Sequence, residues 1–338
     1  MGSHRRPAPS FGSDRGAVAA VGLLSVTAAA LGAVPAAAAP YDDTRSEVDR
    51  LYEEAEQATE AYNAADERAD ALRREVRTAQ DGIARQQARI NTLRESLGSL
   101  AGAQYRSGGL GPALALLLSD DPEDYLEKAS VLDRITVHRT GELRRLRGAL
   151  RSLAQDRAEA ARALRALERS REAVADHRRT VEGKLAEARR LLNSLPADER
   201  AAYERAARSG RTHLPGPGAA APASARAAAA VAAARSALGK PYVWGANGPG
   251  SFDCSGLTQW AYAQAGVALP RTSQAQRYAG RQVPLSEARP GDLVLYRSDA
   301  SHVGMYVGDG QVIHAPYPGA PVRHDPVGMM PVSSVTRV

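Results

Sequence analysis

Cys254 is the only cysteine among 338 residues, and it stands in the run Asp253-Cys254-Ser255-Gly256-Leu257. The stretch before it, Gly245 to Gly250, is rich in glycine and proline. The stretch after it has helical spacing: Leu257, Trp260 and Ala261 fall at i, i+3 and i+4, and Gly266 stands where a cap would end the helix. Asp253 suits the N-cap, because its carboxylate can accept a free N–H of the first turn. The thiol is therefore expected in the first turn, where unpaired N–H groups and the macrodipole favour negative charge and lower a thiol pKa. The thiolate is the nucleophilic form, so the chemistry on offer is nucleophilic attack. The competing reading is a buried cysteine serving as a small hydrophobe. A glycine loop entering a helix is a poor setting for that.

A thiol nucleophile needs a base. His302-Val303-Gly304-Met305-Tyr306-Val307, then Gly308-Asp309-Gly310, then Gln311-Val312-Ile313-His314-Ala315 reads as a β-hairpin. A three-residue loop pairs Met305 with Ile313 and Val307 with Gln311. Val303, Met305, Val307, Ile313 and Ala315 then form a core face, and His302 and His314 become diagonal neighbours on the other face. A two-residue loop would place His314 among the apolar residues. We assign His302 as the base and His314 as the group that orients it. One Cys and two His could also ligate zinc, but their spacings are not those of zinc motifs, so no metal and no cofactor is expected. His324 has no role in this reading.

The same residues carry a family resemblance. Pro241-Tyr242-Val243-Trp244-Gly245, Asp253-Cys254-Ser255-Gly256-Leu257, Pro290-Gly291-Asp292-Leu293, His302 to Gly308 and His314-Ala315 occur in the order seen in the NlpC/P60 family, papain-like peptidases of bacterial cell walls. The resemblance spans about Ala223 to the C-terminus. It implies a cysteine-bearing helix on an antiparallel sheet, with Cys254, His302 and His314 catalytic and Tyr242 near the oxyanion site. Asp253 and Ser255 match positions that shape substrate recognition in relatives, and Trp244 and Ser301 are expected to contact substrate with them. Ala246 stands where the family often has a second glycine. The bond implied lies between D-isoglutamate and diaminopimelate in peptidoglycan stem peptides. The residues by themselves specify only a cysteine amide hydrolase. A non-catalytic wall-binding scaffold, or an amidase or acyltransferase on the same fold, remains open at this level.

The rest of the chain must position and regulate this set. Charged residues are 24% and aromatics 5%, with a net charge of +6 and a pI near 9.6. That balance fits nucleic acid, anionic lipid or an anionic wall equally well. The N-terminus narrows it. Arg5, Arg6 and Arg15 precede an apolar run from Ala17 to Val34 and an A-x-A site near Ala39, the pattern of a signal peptide over residues 1–39. The signal peptide implies secretion, and the family resemblance implies the cell wall as the location, with no nucleic-acid partner expected. A secreted chain with one cysteine makes no internal disulfide, which favours a reactive Cys254.

Residues 40–208 read as an antiparallel helical hairpin with coiled-coil spacing. The first stripe runs from Val48 through Leu51, Ala55, Tyr62, Ala69, Leu72 and Ile90 to Leu100. The second runs from Leu143 through Leu150, Leu153, Leu164 and Leu167 to Leu195, with Arg157, Arg171 and Arg178 at stripe positions. The connector, residues 107–122, holds a strongly apolar run, Pro112 to Leu118, which reads either as a short helix folded back on the rod or as a surface that binds a partner or covers an active site. Residues 209–222 read as a linker and 223–338 as the catalytic domain. The fold class expected is α+β, a papain-like domain preceded by the hairpin. The layout is similar to actinobacterial peptidoglycan endopeptidases of the Rip type. That similarity implies regulation or recruitment by the hairpin in wall remodelling or division, with an FtsX-like membrane protein as partner.

Overall fold

The two apolar stripes fold as two long helices, α1 (Ala39–Arg106) and α2 (Pro122–Ser194). The computed structural model describes residues 39–106, 122–208 and 221–338. The expected signal peptide, the apolar run of the connector and most of the linker fall outside the described residues. At 1.5 Å per residue, α1, with 68 residues, is about 100 Å long. Pro122 opens α2, where a missing N–H costs no helical hydrogen bond.

The helices meet in small apolar clusters that run antiparallel. Val48, Leu51 and Ala55 pack on Val181, Leu185 and Ala188; Ala69 and Leu72 on Leu167; Ile90 on Ala149 and Leu153. The expected seam of α2 is only partly followed. Leu143, Leu150 and Leu164 are exposed, and Glu142, Ala149, Ala163 and Ser170 are buried in their stead. Polar side chains complete that seam: the Ser170 hydroxyl donates to the Ala65 carbonyl at 2.8 Å and Ser96 to Glu142 at 2.9 Å. Arg157, Arg171 and Arg178 stay outside the seam as exposed residues. Beyond Leu195 the chain turns at Pro196 into α3 (Ala197–Arg208), a helix the sequence reading did not expect. The Tyr203 hydroxyl ties α3 back to Asp49 of α1 at 2.8 Å. No helix among the described residues is long and apolar enough to cross a membrane.

The C-terminal region places α4 (Ala225–Ser236), α5 (Cys254–Gln264) and the single turn α6 (Ser273–Gln276) ahead of a sheet. Among the described residues the sheet has six antiparallel strands: β1 (Arg281–Val283), β2 (Leu293–Tyr296), β3 (His302–Gly308), β4 (Gln311–His314), β5 (Arg323–Pro326) and β6 (Val332–Arg337), in the order β1-β6-β2-β3-β4-β5. Alternation along the strands gives each face its own core. Leu293, Leu295, Val303, Met305 and Ile313 pack against Leu257, Ala261 and Tyr262 of α5. Val294, Tyr296, Val312 and Val335 form the opposite face. A fully buried side chain of this size contributes roughly 1.5–3 kcal/mol, so α5 is held firmly on the sheet.

The β3–β4 hairpin reaches the expected register by another route. Met305 pairs with Ile313, as expected, but Gly308 rather than Val307 pairs with Gln311. The loop is the two-residue Asp309-Gly310, with φ of 52° and 67°, as a type I′ turn requires. A bulge at Val307 absorbs one residue and keeps both histidines off the core face.

Two motif glycines are explained by close approach. A Cβ on Gly291 (φ 103°) would lie 2.5 Å from the Ala227 Cβ, so α4 can pack there only against glycine. Asp292, next to it, takes two bonds from Arg337, at 2.9 and 2.7 Å, pinning β6 to this turn. A Cβ on Gly256 would lie 2.2 Å from the Ala246 carbonyl oxygen. Gly256→Ala is therefore expected to destabilise the domain by about 1–3 kcal/mol, measured as a lowered thermal midpoint by circular dichroism. An unchanged midpoint would mean that the loop around Ala246 yields freely.

Candidate active site

Asp253 caps α5 as its sequence position suggests: its Oδ1 accepts the Gly256 N–H at 2.7 Å. Its Oδ2 accepts the Gly245 N–H at 3.0 Å, and Arg271 closes on both oxygens. Asp253 thus joins the glycine loop, the helix start and the turn at Arg271 in one buried knot. Cys254 follows at 1% exposure. Its Sγ lies 4.0 Å from the Ser301 carbonyl, against the start of β3. Tyr242 is buried nearby, and burial together with the adjacent thiol holds its hydroxyl protonated, with its pKa well above the ordinary value.

His302 and His314 meet as the register demands. His302 Nε2 and His314 Nδ1 are 2.8 Å apart. His314 Nε2 in turn lies 2.9 Å from Asp325 Oδ2, which also accepts from Arg323 at 2.7 Å. Burial, and then the charge of His302, push the His314 pKa down to about 4, while Asp325 raises it in part. His314 is therefore a neutral relay between Asp325 and His302. Asp325 was not singled out in the sequence, since β5 carries only four residues with no apolar alternation. His324 points to the other side of β5, buried, and takes no part.

The groove is not open. One face of α1 lies across it, and four residues at helical spacing, Tyr52, Glu56, Glu60 and Asn63, turn into it. Glu56 accepts from His302 Nδ1 and, at 2.6 Å, from Arg297 Nη1. Glu60 accepts from the Ser255 hydroxyl and from the Ser273 N–H, both at 2.7 Å, and its Oε1 lies 3.7 Å from Cys254 Sγ. Asn63 donates to Asp253 at 3.1 Å. Tyr52 stacks on Tyr317 with centroids 5.1 Å apart, and Tyr62 meets Trp244 edge-on at 5.2 Å. Open pockets remain on either side of α1. One of about 300 Å³ lies beside His314 and Asp325, and one of about 380 Å³ beside Arg271 and Gly245.

The structure thus brings Cys254, His302, His314, Tyr242, Asp253, Ser255 and Ser301 into one site, with Trp244 at its rim under Tyr62. The expected lowering of the thiol pKa is overturned. Burial, followed by the carboxylates of Glu56, Glu60 and Asp253, pushes the Cys254 thiol well above its ordinary value. Three nearby carboxylates and the loss of solvent outweigh the helix end. For Glu56, burial works upward, but His302 and Arg297 outweigh it and the carboxyl falls below the usual range. Burial and the Asp253 charge push Glu60 up to about 7. Nothing in the sequence marked Glu56, Glu60, Asn63 or Arg297. On α1 they belong to a charged face that reads as solvated.

A pH dependence follows with a definite sign. Away from the groove Glu60 titrates as an ordinary carboxyl near 4.5; in the groove it titrates near 7. The covered form therefore holds the proton more tightly. Covering is favoured fully below about 4.5, weakens at most about tenfold per pH unit up to about 7, and levels off above. The Glu56 contribution runs oppositely, present above its ordinary range and lost only in stronger acid. In Glu60→Gln the covering equilibrium should stay flat from pH 5 to 8. The ratio of Cys254 labelling rates by dipyridyl disulfide, wild type over variant, should rise across that interval. A constant ratio would refute the role of Glu60.

A thiol at a helix start, beside an imidazole on an antiparallel sheet that a second polar side chain orients, defines a papain-like cysteine hydrolase. Residues 239–334 match the sequence model of the NlpC/P60 family, so this part of the chain is an NlpC/P60 domain. A probable endopeptidase of Mycobacterium tuberculosis is 52% identical over 95 residues, 28% of this chain and 25% of that protein. A probable endopeptidase of Corynebacterium glutamicum is 50% identical over 105 residues, 31% of this chain and 50% of that protein. Among solved structures, the P60 domain of an antigen of M. avium subspecies paratuberculosis is 35% identical, covering 33% of this chain and 93% of that one, with a TM-score of 0.32. The chain thus spans a quarter to a half of the length of these curated relatives.

Proposed function

We propose that this protein is a secreted peptidoglycan hydrolase, a cysteine endopeptidase that cleaves stem peptides between D-isoglutamate and diaminopimelate, and that its hairpin keeps it closed. One observation carries the reading. The Glu60 carboxylate is seated on the Ser255 hydroxyl and the Ser273 N–H, within 3.7 Å of the thiol. D-isoglutamate linked through its γ-carbonyl carries a free α-carboxylate close to the scissile amide, and the seat filled by Glu60 suits it.

With α1 withdrawn, Cys254 loses two carboxylate neighbours and His302 loses Glu56. Nδ1 of His302 then takes the thiol proton, while Nε2 stays on His314 and, through it, on Asp325. The thiolate attacks the γ-carbonyl. Tyr242 and a backbone N–H near Cys254 stabilise the oxyanion. His302 protonates the leaving amine, then activates the water that cleaves the thioester. Asp253 fixes Arg271 and the α5 N-terminus, and Ser255 holds the substrate carboxylate. Trp244 and Ser301 line the approach. We assign release to a membrane partner of the FtsX kind, acting during wall remodelling or division at the far end of the rod, where Tyr105, Leu126, Val131 and Val137 are exposed.

Mass spectrometry of a purified muropeptide digest tests the reading, using the full chain carrying Glu56→Ala and Glu60→Ala. Products ending in D-isoglutamate and beginning with diaminopimelate are expected. Cleavage at another amide would overturn the specificity. No cleavage, with Cys254 shown to be reduced, would overturn the activity.

A further inference from the structure

Three metal-binding side chains from three separate elements converge beneath α1: Glu56 of α1, Cys254 at the start of α5 and His302 at the start of β3. One ligating atom of each lies within 4.8 Å of the other two. All three side chains are buried, at 5%, 1% and 0% exposure. His302 has Nε2 engaged by His314 at 2.8 Å, which leaves Nδ1 facing Glu56. The second oxygen of Glu56 is held by Arg297 at 2.6 Å. His314 is anchored by Asp325 at 2.9 Å. The imidazole and the carboxylate are thus oriented by outer hydrogen bonds, as metal ligands generally are.

We propose that Glu56, Cys254 and His302 together bind one Zn²⁺ ion, and that the ion clamps α1 onto the groove. Thiolate, imidazole and carboxylate suit Zn²⁺ and do not suit Mg²⁺ or Ca²⁺, which take oxygen ligands. Donors around tetrahedral zinc lie about 2.0–2.3 Å from the ion, so a small rotation of Glu56 that opens its direct contact with Nδ1 admits it. Glu60 Oε1, 3.7 Å from Sγ, is a further carboxylate beside the thiol that could take the fourth position. The exchange balances: Zn²⁺ enters, and the Cys254 thiol proton and the His302 Nδ1 proton leave. The thiol now crowded by three carboxylates becomes a charge-compensated thiolate. Sequence spacing does not show this site, because Glu56 lies 246 residues from His302. With α1 withdrawn only two of the three ligands remain, so zinc favours the closed form. The inference rests on the covered groove and not on which bond is cleaved.

The test uses the full chain, reduced and stripped of metal, titrated with zinc chloride against a chromophoric chelator. One zinc per chain is expected, with affinity lower in Glu56→Gln by more than the about 10–100-fold that loss of an outer hydrogen-bond partner costs, and lower still in Cys254→Ser. Cobalt(II) on the wild type should give a thiolate-to-metal charge-transfer band with tetrahedral visible absorption, both lost in Cys254→Ser. Calcium and magnesium should not compete. No stoichiometric zinc on the wild type overturns the proposal. So does a Glu56→Gln affinity equal to wild type, since Cys254 and His302 would then hold the ion without α1, and so does equal competition by calcium. None of these readouts uses hydrolysis, so their failure is separable from failure of the peptidase reading.

Discussion

Glu56→Ala is expected to raise the rate of muropeptide cleavage by the full chain about 100-fold. Glu56 is 5% exposed and bonds to both His302 and Arg297 across the groove. Removing one partner of a buried charged pair costs roughly 3–5 kcal/mol. Here the cost falls on the covered state alone, because His302 and Arg297 regain water when α1 leaves. The covering equilibrium should therefore shift by about 10²–10⁴-fold, and the rate rises until the groove is mostly open. Glu60→Ala should act in the same direction but less, because the carboxylate it removes is half protonated near pH 7. Initial rates by chromatography of reduced muropeptides read both effects. Equal rates for wild type and Glu56→Ala, with Cys254 reduced in both, would show that α1 does not control access.

Placed in that opened background, Cys254→Ala should lower the rate by at least about 10⁴-fold, to the residue that binding and the oxyanion donors supply alone. The reasoning is chemical. Among the described residues Cys254 is the group at this helix start that can carry the acyl intermediate, and Ser255 beside it faces the carboxylate seat and Arg271. His302→Ala should fall by a similar factor, and the double variant little further, since thiol and imidazole act as a unit. Full activity in Cys254→Ala would exclude the covalent mechanism. A scaffold reading would instead require both backgrounds to be inactive while still binding peptidoglycan.

Much of the C-terminal fold is legible along the chain because its signals are local. The Asp253 cap, the apolar spacing of α5 and the alternation on β3 and β4 each act within a few residues. The bulge at Val307 shows how strong the alternation is: a type I′ turn was selected locally, and one extra residue was absorbed to keep Val303, Met305 and Ile313 in the core. β5 and α3 were not legible. β5 is short, polar and stabilised by pairing with β4, and α3 by packing of Tyr203 on α1. The seam of α2 was read partly wrongly because Leu143, Leu150 and Leu164 keep a heptad phase that its actual contacts with α1 do not follow.

By itself, the sequence singled out the candidate nucleophile, its candidate base and the order of the elements that carry them, since a lone cysteine after a glycine loop and two histidines on one face of a hairpin leave few other arrangements. Only the tertiary structure decided the state of that site. Glu56, Glu60 and Asn63 are spaced as any solvated helical face would be, and their charge has no meaning until α1 is laid across the groove. Once there, burial and proximity raise the thiol pKa, give the imidazole to a carboxylate and place Glu60 on the Ser255 hydroxyl and the Ser273 N–H. These effects depend on distance through space between residues far apart in the chain, which residue spacing does not encode.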